Sequence, residues 1–206
     1  MLRRRMYSQW LRSFLMEKIR TVIFGGSFDP VHIGHISLAE EVLNSGLADE
    51  VWFMVSPHNP HKEQCKLSDE NVRLEMAQLA VAGNSGFKAC DFEFGLPRPS
   101  YTINTLSALE ESYPDREFIL LIGADNWEKF DRWYKHDELL ARYGIIVYPR
   151  DNSAVPAVPD GVIWLSAKLH DVSSTLIRGL VASGGNISGL VAPVVEEYIN
   201  KNNLYR

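Results

Sequence analysis

From Ile19 onward, short runs of β-branched and aromatic residues alternate with longer stretches in which apolar side chains recur every three or four positions. The first periodicity belongs to strands and the second to helices. Their alternation is the pattern of parallel strands joined by crossover helices. The strands read as Arg20 to Phe24, Glu50 to Val55, Phe87 to Asp91, Phe118 to Ile122, Gly144 to Tyr148 and Val162 to Leu165. Each is almost continuously apolar, as a strand covered on both faces must be. Helical spacing links Ile36, Ala39, Val42 and Leu43, then Val72, Met76 and Leu79, then Ile103, Leu106 and Leu109. The expectation is an α/β fold, a Rossmann-like parallel sheet with helices on both faces.

Boundary signals refine this outline. Ser68, followed by Asp69 and Glu70, predicts a helix N-cap with acids in the first turn. Pro97 and Pro99 mark one loop and Asp151 to Gly161 another. A short helix is expected from Ser173, a break at Ser183 to Asn186, and a last helix around Val194 to Ile199. Residues 1–15 carry Arg3, Arg4, Arg5 and Arg12 among apolar residues but lack the apolar core of a secretory signal. They read as an N-terminal extension from an early start codon, with a single domain over residues 16–206 opening at Met16.

A net charge of -5 and a pI near 5.7 argue against a surface that binds a nucleic-acid backbone. No apolar run is long enough to span a bilayer, so no membrane partner is expected. Cys65 and Cys90 form no CxxC pattern and suit a reducing cytoplasm as bystander thiols. A homo-oligomer is compatible with the sequence, which does not fix that state.

The most informative segment is Gly25-Gly26-Ser27-Phe28-Asp29-Pro30-Val31-His32-Ile33-Gly34-His35, between the first strand and the first helix. In α/β proteins this is where phosphates bind. The glycines are expected to turn the chain and let backbone N–H groups approach an anion, with a helix N-terminus following Gly34. His32 and His35, three residues apart, can donate hydrogen bonds to phosphate oxygens. The segment is neither GxGxxG nor a P-loop. An ordinary strand-to-helix turn explains the glycines but not both histidines, and a metal site would need ligands that no HExxH or His-rich segment supplies; no metal-ligand set is assigned.

A second segment, Val172-Ser173-Ser174-Thr175-Leu176-Ile177-Arg178, places Ser173 as a cap with Thr175 and Arg178 three residues apart behind it. Alone it is an N-cap followed by a surface arginine. Paired with the first segment, it points to one anion held by hydroxyls, N–H groups and a guanidinium.

The pairing of GGSFDPVHIGH with SSTLIR resembles the nucleotidylyltransferase superfamily of the HxGH type. Asn59-Pro60-His61-Lys62, Pro99-Ser100-Tyr101-Thr102, Gly123-Ala124-Asp125 with Trp133-Tyr134, and Tyr148-Pro149-Arg150 resemble the bacterial nicotinate-nucleotide adenylyltransferase family in particular. The resemblance runs from Met16 to the C-terminus. It implies that ATP is bound by Gly25, Gly26, Ser27, Phe28, His32, His35, Asp125, Ser173, Ser174, Thr175 and Arg178. His32, His35 and Arg178 would serve catalysis, and Asp125 would contact ribose. Nicotinic acid mononucleotide would be held by Lys62, Thr102, Trp133, Tyr134 and Arg150, with Trp133 stacked on the pyridine ring. Around Arg150 the chain departs from the more basic segment expected of some relatives, since Tyr148-Pro149 precedes it and Asp151 follows.

The implied reaction is transfer of AMP from ATP, with Mg2+ as ATP's companion cation, to the mononucleotide phosphate. That phosphate is already anionic, so no Ser-His-Asp triad or covalent intermediate is required, and no triad is visible in the sequence. Transfer to phosphopantetheine, a nucleotide sensor without turnover and a nucleic-acid module using the arginine-rich arm are the alternatives.

Overall fold

The computed structural model describes residues 18–57, 67–149, 157–168 and 170–206. Six strands form one parallel sheet: β1 (Ile19–Gly26), β2 (Glu50–Val55), β3 (Phe87–Cys90), β4 (Arg116–Gly123), β5 (Gly144–Tyr148) and β6 (Val162–Trp164). Their order across the sheet is β3-β2-β1-β4-β5-β6. The chain first builds outward from β1 on one side and then returns to add β4 on the other. The crevice between β1 and β4 is the topological switch point where open α/β sheets bind ligands.

The apolar runs divide between two cores because successive strand residues point to opposite faces. Val22, Phe24, Val51 and Phe53 face a core closed by α1 (Ile33–Asn44), α2 (Glu70–Val81), α6 (Ser174–Ala182) and α7 (Pro193–Lys201). Ile23, Trp52, Phe118 and Leu120 face the other, closed by α3 (Thr102–Ser112) and α5 (His136–Arg142). Between β4 and α5 lie the one-turn helix α4 (Ala124–Trp127) and a 3-10 turn, Phe130–Arg132. Cys90 is buried in the second core, where burial pushes its thiol up from the ordinary value.

Three local expectations are corrected. The cap of α2 is Asp69 rather than Ser68: its carboxylate accepts the Asn71 N–H at 2.9 Å, while the Ser68 N–H is used elsewhere, on Asp29. The first helix begins at Ile33, with His32 as its N-cap, so Gly34 lies inside the first turn. Gly25 and Gly26 belong to β1, paired with Met54 and Val55, and do not make the turn. Phe28 makes it, with φ of 47°. Gly26 is required for a different reason. A Cβ there would meet the Phe28 ring at 2.9 Å, because that ring folds back under the strand.

The last two helices, α6 and α7, end in Schellman motifs. Gly184 (φ 73°) follows α6, with the Gly185 N–H bonded to the Leu180 carbonyl. Asn203 (φ 50°) follows α7, with the Leu204 N–H bonded to the Ile199 carbonyl. The expected Ser183 to Asn186 break is the first of these.

Candidate active site

The loop leaving β1 is held from below by a buried guanidinium. Arg73 of α2 is 1% exposed, and its Nη1 donates to the carbonyls of Ser27 and Ser56, both at 2.8 Å. Its Nε donates to Ser68 at 2.9 Å and its Nη2 to Pro57 at 3.2 Å. One planar fork thus ties the loop to the end of β2 and to the start of α2. Asp29, also 1% exposed, accepts from the Tyr205 hydroxyl at 2.7 Å and the Ser68 N–H at 3.1 Å. Burial, then the charge of Asp29, push the Tyr205 phenol well above its ordinary value, so it stays a donor.

From above, α6 closes on the same loop. Ser173 caps the helix by accepting the Leu176 N–H at 3.1 Å. Ser174 Oγ donates to the Pro30 carbonyl at 2.9 Å, and Arg178 Nη1 donates to the Asp29 carbonyl at 2.7 Å. Arg178 Nη2 reaches Thr175 Oγ1 at 3.4 Å. The two motifs, some 150 residues apart in sequence, therefore meet through direct hydrogen bonds, as their pairing implied. His170, just before α6, adds a contact at 2.9 Å between its Nε2 and Ser37 Oγ of α1.

The histidine rings stack at 3.6 Å between centroids. His35 Nδ1 accepts the His32 N–H at 3.2 Å, which in the neutral ring assigns the proton to Nε2 and makes that nitrogen the donor. The Ile33 N–H donates to the Leu190 carbonyl at 3.0 Å, so one of the helix-start donors serves the fold rather than an anion. Phe28 is buried, its ring against those of Phe24, Phe53 and His35. Its part in the site is to shape the loop and to back His35.

A cavity of about 520 Å³ opens over the switch point. Gly25 and Gly26 of β1 line one end, and Thr102, Trp133 and Tyr134 line the other, so the cavity joins residues expected for ATP with three expected for the mononucleotide. Thr102 is the first residue of α3, and Trp133 packs beside Phe130 at 5.4 Å between centroids. Tyr134 is about half exposed and lies 4.6 Å from the Tyr101 ring, an aromatic pair at the mouth. Asp125 is exposed in the first turn of α4, and its neighbour Asn126, not Asp125, is the α4 residue on the cavity wall. Lys62 and Arg150 lie outside the described residues, as do Cys65 and residues 1–15.

The wall also holds groups that the motif reading missed. Glu93 is buried beside the cavity and accepts from Thr105 Oγ1 at 2.9 Å; burial pushes its carboxyl up, against hydrogen bonds from Thr105 and Ser56. Arg132 supplies a described cation on the wall. Neither stands in a recognisable motif. Arg73 did leave a signal, because it falls on the helical stripe of Val72 and Met76, where a charge is out of place.

A cytidylyltransferase-like family model matches residues 23–180, spanning β1 to α6 and both phosphate motifs. A Bacteroides fragilis protein with the provisional name nicotinate-nucleotide adenylyltransferase is 46% identical over 186 residues, 89% of this chain and 92% of its own. A Cytophaga hutchinsonii protein of the same provisional name is 40% identical, over 89% of this chain and 96% of its own. The chain belongs to the nicotinate-nucleotide adenylyltransferase family. Among solved structures, a Vibrio parahaemolyticus protein given that name provisionally aligns with a TM-score of 0.68 at 26% identity, covering 91% of this chain and 96% of that one. A Plasmodium falciparum nicotinic acid mononucleotide adenylyltransferase complexed with NaAD shares the fold, with a TM-score of 0.72 at 20% identity over 91% and 97% of the two chains. These matches establish the Rossmann-like nucleotidylyltransferase fold and place the chain among enzymes.

Proposed function

We infer that this chain transfers the AMP part of ATP to nicotinic acid mononucleotide, producing the deamido-dinucleotide and pyrophosphate in NAD biosynthesis. The observation that carries the reading is the single cavity running from the β1 glycines to Thr102, Trp133 and Tyr134. It brings the β1 glycines, where the first motif begins, onto one wall with the residues proposed for the mononucleotide.

In the reaction, an oxygen of the mononucleotide phosphate bonds to the α-phosphorus of ATP. The bond from that phosphorus to the β-phosphate bridging oxygen breaks, and pyrophosphate leaves. The acceptor brings its own nucleophile, so the protein contributes position and charge. His35 donates from Nε2 to the phosphates, His32 lies against it, and Arg178 neutralises charge while its Nη1 remains on the Asp29 carbonyl. Ser173, Ser174 and Thr175 complete the cradle at the start of α6, and Gly25, Gly26 and Ser27 line the phosphate path. Asp125 is the ribose contact. Trp133 stacks on the pyridine ring, and Thr102 with the Tyr134 backbone receives its carboxylate. Lys62 and Arg150 remain the proposed contacts of the mononucleotide phosphate.

Mg2+ enters as part of the ATP complex. Among the described residues, no group of three His, Cys, Asp or Glu side chains is placed to hold a metal ion, and both Asp29 carboxylate oxygens already accept hydrogen bonds. That donor set fits a cation carried on ATP's phosphate oxygens and water. No helix among the described residues is long and apolar enough to cross a membrane; the cytoplasm is the proposed location.

Pyrophosphate release from ATP and Mg2+, with nicotinic acid mononucleotide, nicotinamide mononucleotide and phosphopantetheine offered separately, tests this reading. The expected result is strong preference for the acid. Activity only with phosphopantetheine would overturn the acceptor, and none with any of the three would overturn the reaction.

A further inference from the structure

We propose that Tyr205, the penultimate residue, is a positioning residue for phosphate transfer: its hydroxyl fixes Asp29 and, through Asp29, the loop on which Arg178 docks. The proposal rests on the reading of that loop as half of the phosphate cradle.

Asp29 is a hub with two separate outputs. Its side chain is anchored by Tyr205 and the Ser68 N–H, while its backbone carbonyl receives Arg178 at 2.7 Å. It follows Phe28, whose φ of 47° lies where non-glycine residues rarely rest, so the loop needs outside support to keep its shape. Tyr205 reaches Asp29 across 176 residues of sequence. Its approach is set by the Schellman end of α7, and Tyr205 itself sits at φ 63°. One end of this hydrogen bond, Tyr205, is itself left-handed and the other, Asp29, directly follows the left-handed Phe28, so the surrounding structure enforces the contact. The hydroxyl also lies 3.8 Å from Met76 Sδ, and Tyr205 packs against the core beneath the loop. Removing the hydroxyl leaves the buried carboxylate with its backbone donor from Ser68, and the loop is then free to shift the carbonyl that seats Arg178.

A neighbouring phenol supplies the control. Tyr198 of α7 donates to Glu75 of α2 at 2.7 Å, a phenol–carboxylate bond of the same length away from the loop. The experiment compares Tyr205→Phe and Tyr198→Phe with the full-length wild type by steady-state kinetics, thermal melting and calorimetric binding of a non-hydrolysable ATP analogue. Tyr205→Phe is expected to lower kcat about tenfold and to weaken the analogue severalfold, as loss of a hydrogen bond to a charged group allows. KM for the mononucleotide should stay within about twofold, because the bond lies outside the pocket that would hold it. Tyr198→Phe should leave all three unchanged. Wild-type kcat and analogue affinity in Tyr205→Phe, with only a lowered melting temperature, would overturn the proposal. If the wild type releases no pyrophosphate, the adenylyl-transfer reading fails by itself. The analogue then decides: weaker binding in Tyr205→Phe alone supports the positioning role, and equal binding in all three proteins overturns it.

Discussion

At the phosphate end of the cavity, Arg73, Asp29, Tyr205 and Arg178 all direct hydrogen bonds to, or from, the backbone of one loop or its immediate anchors. The opposite end is walled by Thr102, Trp133 and Tyr134; the Trp133 ring packs beside Phe130 and the Tyr134 ring beside Tyr101, and Tyr134 and Tyr101 stand exposed at the mouth. On the proposed function, the difference follows from what each end would recognise. A triphosphate is gripped by donors whose positions must be fixed before it arrives, since preorganised charge stabilises a transition state without reorganisation. A planar ring is held by stacking and exclusion of water, which tolerates small movements of the wall. The first end should therefore fail in stability or in kcat when altered, and the second in KM.

The largest expected effect is at Arg73. Replacing it with leucine leaves four carbonyls without their donor and Asp29 without a neighbouring positive charge, so unfolding free energy should fall by about 3–5 kcal/mol. Lysine should not restore it, because an ammonium lacks the planar fork. Denaturant melts of the two variants measure this. If both were as stable as wild type, the loop would not depend on its guanidinium.

Next is His35→Ala, which should lower kcat roughly a hundredfold, on the order of 3 kcal/mol, while the protein still melts within a few degrees of wild type. Near-normal turnover would remove His35 from the cradle. At the other end, Trp133→Ala should raise KM for the mononucleotide roughly tenfold, the scale of one lost stacking contact, and leave KM for ATP unchanged. An equal loss for both substrates would erase the contrast between the two ends.

The smallest effect concerns Glu93. Its ordinary value is 4.5 and burial raises it in the folded state, so the folded protein holds that proton more tightly than the unfolded chain does. Its contribution to stability is complete below pH 4.5 and is lost as the pH rises toward the raised folded value. Melting temperatures across this interval should decline less with rising pH in Glu93→Gln than in wild type. Parallel curves would mean that the carboxyl is not perturbed in solution.

The fold was legible in the sequence because apolar strands buried on both faces leave a local signature, and each of the six expected strands is present. Strand ends were less legible: β1 runs on through Gly25 and Gly26, since pairing with β2 continues past the apolar residues. The meeting of the two segments was legible because Ser173, Ser174 and Arg178 lie close together in sequence, and Ser174 and Arg178 both bond the loop after β1. Glu93, Arg73 and Tyr205 were not read as site components, because each acquires its role only through partners far away in the chain. Arg73 bonds carbonyls up to 46 residues away and Tyr205 bonds Asp29 across 176. The Tyr205 contact leaves no pattern that spacing can reveal, and Arg73 leaves only a charge on the buried stripe of α2, which does not name its partners. The cap of α2 shows the same limit on a small scale. Ser68 has the right chemistry, but the helix starts one residue later, at Glu70, and the cap passes to Asp69.

The most direct test of the central claim is to incubate the full chain with ATP, Mg2+ and nicotinic acid mononucleotide and to quantify dinucleotide and pyrophosphate together by chromatography and mass spectrometry. The account predicts the deamido-dinucleotide and pyrophosphate in equal amounts, with far less dinucleotide when the nicotinamide form is supplied. Pyrophosphate without dinucleotide, or equal turnover of the two mononucleotides, would contradict it.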